Sequence, residues 1–241
     1  MSQPGSPGLN LMPWPEADHA AFGPVETLPL DRIRRTIGAV MARNWAMIPH
    51  VTHHDEADVT DVEARRKAAA GPVKLTLLAY LVKAAVEALR AEPHFNASLD
   101  AAGANLTLKK YFHIGVAMDT PRGLMVPVLR DCDRKSLEEI ATEIDALARK
   151  AREKGLSMAE MSGGCFSISS LGHIGGSGFT PIINAPEVAI LGVTRARWVT
   201  QRGADDAVEW RLMLPLSLSY DHRVIDGAAA ARFTRHIATH L

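Results

Sequence analysis

Apolar and polar positions alternate most sharply in the last third of the chain. Over residues 209–220, Leu212, Leu214, Leu216 and Leu218 face one way, and Met213, Ser217 and Ser219 face the other. A period of two predicts a strand with one face in a core. Pro215 falls inside it and has no N–H to give, which implies a bulge or an edge. Shorter apolar runs predict strands over 51–59, 106–118, 124–129, 165–169 and 188–199, with 119–123 (Asp-Thr-Pro-Arg-Gly) as the turn between the second and third of these.

A helical period appears in four places. Over 30–46, Ile33, Ile37, Val40 and Met41 form a stripe, Asp31 is a cap, and Pro49 ends the helix. The run 75–89 is strongly apolar and stops near Pro93. At 136–139, Ser-Leu-Glu-Glu is a capping box for a helix to about residue 154. The alanine-rich run 228–240 is the last helix. Strands and helices mix without βαβ repetition, so the expected class is α+β: a mostly antiparallel or mixed sheet packed against helices. No internal repeat is visible.

Pro4, Pro7, Pro13, Pro15 and Pro24 give residues 1–24 the composition of a linker, extended and poorly packed. One domain is expected over 25–241, as in a core cut from a longer multidomain protein. The 241 residues, 47% hydrophobic, suffice for one large core. Lys+Arg and Asp+Glu number 27 each, so charge gives no reason to expect nucleic acid or an anionic membrane. Cys132 and Cys165 lie in no metal spacing and point to a reducing compartment. No run of 18 apolar residues and no leader pattern occurs, so the expected location is cytoplasmic.

Candidate chemistry concentrates at His222, four residues before Asp226–Gly227, where a strand ends and a helix begins. A histidine there suits a general base. Asp226 suits a helix cap or an arginine partner better than proton transfer. The second cluster is 168–178, Ile-Ser-Ser-Leu-Gly-His-Ile-Gly-Gly-Ser-Gly. Ser169 or Ser170 could act as nucleophile or donate to an oxyanion. Neither fits the Gly-x-Ser-x-Gly elbow, and the glycines do not fit G-x-G-x-x-G. His50, His53 and His54 with Asp55 and Glu56 lack a third ligand in metal spacing, so no metal is expected. Arg65, Arg66 and Lys67 form a solvated helix face or a phosphate contact.

Six separated segments then carry a resemblance: 44–52 (Asn-Trp-Ala-Met-Ile-Pro-His-Val-Thr), 110–121, 123–128, 166–176, 184–192 (Asn-Ala-Pro-Glu-Val-Ala-Ile-Leu-Gly) and 217–227 (Ser-Leu-Ser-Tyr-Asp-His-Arg-Val-Ile-Asp-Gly). In this order they resemble the catalytic core of the dihydrolipoamide acyltransferases of 2-oxo acid dehydrogenase complexes, most closely the acetyltransferase branch of bacterial pyruvate dehydrogenase. The last segment is also similar to the active-site motif of chloramphenicol acetyltransferase. The resemblance implies that fold, and a homotrimer with His222 of one copy facing Ser169 of the next.

It further implies coenzyme A and a dihydrolipoyl-lysine arm, carried on a separate lipoyl domain, as substrates. Its partners would be the decarboxylase (E1) and the dihydrolipoamide dehydrogenase (E3), reached through regions absent here. His222 would be the base, Ser169 the oxyanion donor and Asp226 the brace of the loop. Ser170, Asp119, Thr76, Arg66 and His173 would contact coenzyme A. A trimer rather than a 24-subunit cube is expected, because relatives carry a further tail. Rival expectations are a succinyl- or branched-chain acyltransferase core, a noncatalytic scaffold, and a chloramphenicol-type enzyme.

Overall fold

The computed structural model describes residues 13, 15–121, 123–203 and 205–241. Along them run α1 Arg32–Met47, β1 His50–Asp58, α2 Thr60–Ala68, α3 Leu77–Ala91, β2 Ala97–Leu99, β3 Leu106–Leu108, β4 Ile114–Ala117 and β5 Val128–Leu129. Then come α4 Leu137–Glu153, β6 Phe166–Ser170, β7 Ala189–Val193, β8 Arg197–Arg202, β9 Val208–Asp221 and α5 Gly227–Thr239. The helices start where side chains can take their orphan N–H groups. Asp31 accepts from Arg34 N at 2.8 Å, Thr76 from Ala79 N at 3.3 Å and Asp226 from Ala229 N at 2.7 Å. Ser136 and Glu139 form the expected capping box.

The main sheet is mixed, in the order β1-β9-β7-β6-β4-β5, with β8 also on β9. β4, β6 and β7 are parallel, and the other pairs are antiparallel. The register makes two unlike faces. One row reads Val116, Ile168, Leu191 and Leu218. These residues are buried in the core beside Leu81, Leu89 and Phe233 of α3 and α5. The rows on the other face are small and polar: Gly115, Ser167, Ile190, Ser219 and Thr52, then Ala117, Ser169, Gly192, Ser217 and His54.

Several expected strands are shorter than their apolar runs. The run 106–118 splits: β3 pairs with β2 in a separate two-stranded sheet, and β4 joins the main one. Between them the backbone serves other elements, since Lys109 N bonds Asn96 O at 2.8 Å and Cys165 N bonds His113 O at 2.8 Å. The run 124–129 keeps only β5, after a single bridge from Met125 to Met118. Arg122 of the preceding turn lies outside the described residues. The run 188–199 splits into β7 and β8.

Pro215 explains that last split. β9 is neither at an edge nor bulged against β1, since their pairing is unbroken from His50↔Asp221 to Asp58↔Met213. The Leu212 carbonyl is bonded on the β1 side, by Val59 N, and Asp221 N on the other, to Val188 O. Alternation therefore turns the Pro215 nitrogen towards β7 and β8. There the pairing ends at Val193↔Leu216 and resumes at Arg197↔Met213. Three residues, 194–196, face two on β9, so the bulge lies opposite the proline, where no N–H is required.

The α1 stripe is not covered by the described residues. Ile33 is exposed, Ile37, Val40 and Met41 are half-buried, and Asn44 is the buried residue of the helix. Its amide donates to Ile183 O at 2.9 Å. The expected linker, 1–24, falls largely on residues 1–12 and 14, outside the described residues. Residues 15–31 are exposed, with a short 3-10 turn at His19–Phe22. No helix among the described residues is long and apolar enough to cross a membrane.

Candidate active site

His222 follows β9 directly, and its position is fixed from three sides. Its own N–H bonds Pro49 O at 3.1 Å, and the preceding Asp221 N bonds Val188 O at 2.9 Å. The buried Asp221 carboxylate takes Arg223 Nε at 2.9 Å and Nη2 at 2.6 Å, which raises the Arg223 value further. The Asp221 carbonyl accepts from Val224 N and Ile225 N, both at 3.0 Å. The imidazole itself is exposed and has no hydrogen bond among the described residues. The Tyr220 ring flanks it, 5.9 Å away centroid to centroid. Asp226 caps α5 and does not pair with Arg223, which is held by Asp221 instead. Its charge adds to burial in raising the Tyr220 phenol.

Ser169 stands near the other end of the sheet, on the small-residue face. It is level with Ser217, five residues before His222, and two strands away from it. At ~3.3 Å per residue and ~4.8 Å per strand, that places Ser169 and His222 on the order of 15–20 Å apart within one chain. Ser169, Ser170, Asp119 and His173 do come together. They line one cavity of about 580 Å³ with Leu78, Ile144, Ala148 and Arg152. The last three sit four residues apart on one face of α4.

The glycine-rich loop is pinned over this cavity. Ile174 N and Gly175 N bond Leu171 O at 2.9 and 3.0 Å, and Gly176 takes φ +89°. From the bulge opposite Pro215, Arg195 donates to Gly172 O, His173 O and Ile174 O at 3.1–3.3 Å. Thr76 and Arg66 lie apart from the cavity lining. Thr76 caps α3, two residues before Leu78. Arg66 is forked onto Glu63 at 2.7 and 2.8 Å and also donates to Leu75 O at 3.2 Å. Its guanidinium is thus already engaged, while Arg65 and Lys67 on the same helix are exposed, as expected of a solvated face.

Sequence patterns gave no hint of Arg152. It ends a regular amphipathic helix, and its only signal is a cation in line with Ile144 and Ala148. Burial pushes the Cys132 thiol up to about 11 and raises the Cys165 thiol as well, so neither is a ready thiolate near neutral pH. Among the described residues, no three His, Cys, Asp or Glu side chains are placed to hold a metal ion.

Residues 22–241 match the family described as 2-oxoacid dehydrogenases acyltransferase (catalytic domain). The chain belongs to this family. Across it, the chain is 54% identical over 239 residues to the dihydrolipoyllysine-residue acetyltransferase component of the pyruvate dehydrogenase complex of Cupriavidus necator. That match spans 96% of this chain and 42% of the relative. The Pseudomonas aeruginosa component is 55% identical over 237 residues, 95% of this chain and 43% of that one. The chain therefore spans about two-fifths of the length of these curated relatives.

Among solved structures, the dihydrolipoamide acetyltransferase of Azotobacter vinelandii superposes with a TM-score of 0.92 at 50% identity, covering 95% of this chain and 96% of that one. The mechanism of that enzyme was investigated through a serine, a histidine and an asparagine four positions after the histidine. Chloramphenicol acetyltransferase, at 16% identity and a TM-score of 0.61 over 83% of this chain and 94% of its own, shares the fold. The expected acyltransferase class and chloramphenicol-acetyltransferase-like fold are both borne out.

Proposed function

We propose that this acyltransferase core moves an acetyl group between a dihydrolipoyl-lysine arm and coenzyme A, at a site shared by two copies of the chain. One observation carries the proposal. The side chains suited to base and oxyanion donor, His222 and Ser169, sit at opposite ends of one sheet, and neither can reach the other within its own chain. A second copy supplies the missing half. A homotrimer does this three times with one kind of interface. The curated relatives' name supports acetyl over succinyl or branched acyl groups, and the pyruvate dehydrogenase decarboxylase, dihydrolipoamide dehydrogenase and lipoyl domain as partners. In that setting the protein works in the cytoplasm.

A thiol with a pKa of about 8.5 is mostly protonated at neutral pH. His222 takes the proton from the coenzyme A thiol, and the sulfur attacks the carbonyl carbon of the acetyl-lipoyl thioester. A carbon–sulfur bond forms, and the carbonyl electrons move to oxygen. Ser169 donates its O–H to that oxyanion, a contact worth about 3 kcal/mol in a dry site. Collapse breaks the bond to the lipoyl sulfur, which leaves with the proton from His222. No acyl-enzyme forms, in keeping with the two suppressed thiols. Ser170, Asp119, His173 and Arg152 line the coenzyme A side of the cavity, and Thr76 and Arg66, apart from that lining, would meet only a part of the cofactor that extends beyond it. Asp226 braces the loop as the α5 cap, where the Azotobacter enzyme's mechanism was probed at an asparagine.

Mixing inactive His222→Ala and Ser169→Ala chains tests the shared site. After dissociation and reassembly, interfaces that pair the intact His222 of one variant with the intact Ser169 of the other should restore about a quarter of the wild-type rate. A mixture that stays inactive while forming mixed trimers defeats the proposal. Light scattering on the wild-type chain separates a trimer from a cube.

A further inference from the structure

Glu187 lies in the segment 184–192, to which the transfer reaction above gives no task. Its side chain is buried near Ser167, Asn184 and Gly164, and burial pushes the carboxyl up to about 7. Glu187 Oε2 and Ser167 Oγ both lack a partner of full hydrogen-bonding geometry among the described residues. Ser167 and the Asn184 side chain nevertheless stand close enough to favour the ionised form. Lys109 is the cation that acts on the carboxyl, and Lys109 Nζ donates to Ala97 O at 3.2 Å and Gly164 O at 3.5 Å. Cys165, itself raised by burial, is the other titratable neighbour of this group. Gly164 leaves the room: a Cβ there would lie 2.8 Å from Glu187 Oε1.

Two connections lead from this carboxyl to the reacting side chains. Ser167 and Ser169 share β6 and its small-residue face, about 6.6 Å apart at two residues' rise. Val188, the next residue along, accepts the Asp221 N–H at 2.9 Å, immediately before His222. The carboxyl is thus linked through Ser167 to the strand that bears Ser169, and its backbone neighbour Val188 holds the residue that precedes His222.

We propose that Glu187 is a positioning residue for the transfer reaction: in its neutral form its carboxyl braces Ser167 and keeps negative charge away from the oxyanion held by Ser169. This rests on the assignment of Ser169 and His222 made above. Once ionised, the carboxylate opposes the oxyanion across a screened distance, with Lys109 softening the effect. The rate then falls as Glu187 loses its proton, which gives the profile an alkaline limb.

The test is the pH dependence of turnover for the wild-type assembly and Glu187→Gln, from about pH 6 to 9. The amide cannot ionise. Glu187→Gln should match the wild type at the acid end and exceed it by about three- to tenfold at the alkaline end, with the KM for coenzyme A unchanged. Profiles that superimpose, or an equal loss at every pH in a folded variant, overturn the proposal. Should the glutamine variant fail to fold, Ser167→Ala probes the same contact from the other side. Removing the hydroxyl that favours the carboxylate should move the alkaline limb to higher pH, and an unmoved limb counts against the proposal. Failure of the catalytic assignment shows separately, as near-normal turnover in His222→Ala or Ser169→Ala.

Discussion

The two faces of the main sheet are built by opposite rules. The helix-covered face is filled with Ile168, Leu191 and Leu218, whose size excludes voids. The other face is kept small. A Cβ on Gly115 would lie 2.6 Å from Ser167 Oγ, and one on Gly192 would lie 2.7 Å from the Phe179 ring. The first face resists loss of volume, and the second resists gain. The small face also bears Ser169, and His222 lies beyond the end of β9, so the groups suited to chemistry stand outside the rows that pack the core.

The sharpest way to break this division is to remove the base. His222→Ala should cut turnover by about 10²–10⁴-fold. The melting temperature should hardly move, because the imidazole is exposed and has no hydrogen bond among the described residues. A parallel collapse in stability would erase the distinction. Phe233→Ala is the converse. Its ring stacks on Phe95 at 3.9 Å and tilts against Phe166 at 5.6 Å, all within the core. Denaturant unfolding should show a loss of about 3–5 kcal/mol. Turnover at a temperature where the variant stays folded should be nearly normal.

A pH titration of stability sharpens the picture from the small face. Glu187 binds its proton more tightly in the folded chain, with a value raised from 4.5 to about 7. Its contribution is therefore full below about pH 4.5 and is lost as the pH rises through about 7. Glu187→Gln should gain on the wild type in unfolding experiments at pH 8, by roughly 1–3 kcal/mol, and not at pH 4. An equal gain at both would point away from ionisation. The smallest effect concerns Thr52 Oγ1 and Ser219 Oγ, 2.8 Å apart. Either alanine alone should cost about 1 kcal/mol by stranding its partner, and the double variant should cost less than the two together.

Much of this was legible in the residues. The alternation from Leu212 to Leu218 announced the central strand, and Ser136 with Glu139 announced α4, because both signals are local. The splits at 109–113 and 194–196 were not. Leu106 and Ile114 both look like strand, and only Asn96 and Cys165, distant in sequence, decide where the backbone bonds go. His222 and Ser169 stood out by type and setting. That they stand far apart depends on strand order, which no local pattern carries. Glu187 had one faint signal: a lone carboxylate among Ile183, Pro186, Val188 and Ile190.

Pro215 has a consequence for how the chain tolerates changes in length. Deleting one residue from 194–196 would bring β7 and β8 into one continuous register against β9, which looks like a repair. It would also set a partner against a nitrogen that has no hydrogen, and it would carry Arg195 away from the three carbonyls it holds. The segment 194–196 is thus one residue longer than pairing alone requires, and a shortened version should lose its grip on the loop bearing His173 before it loses its fold.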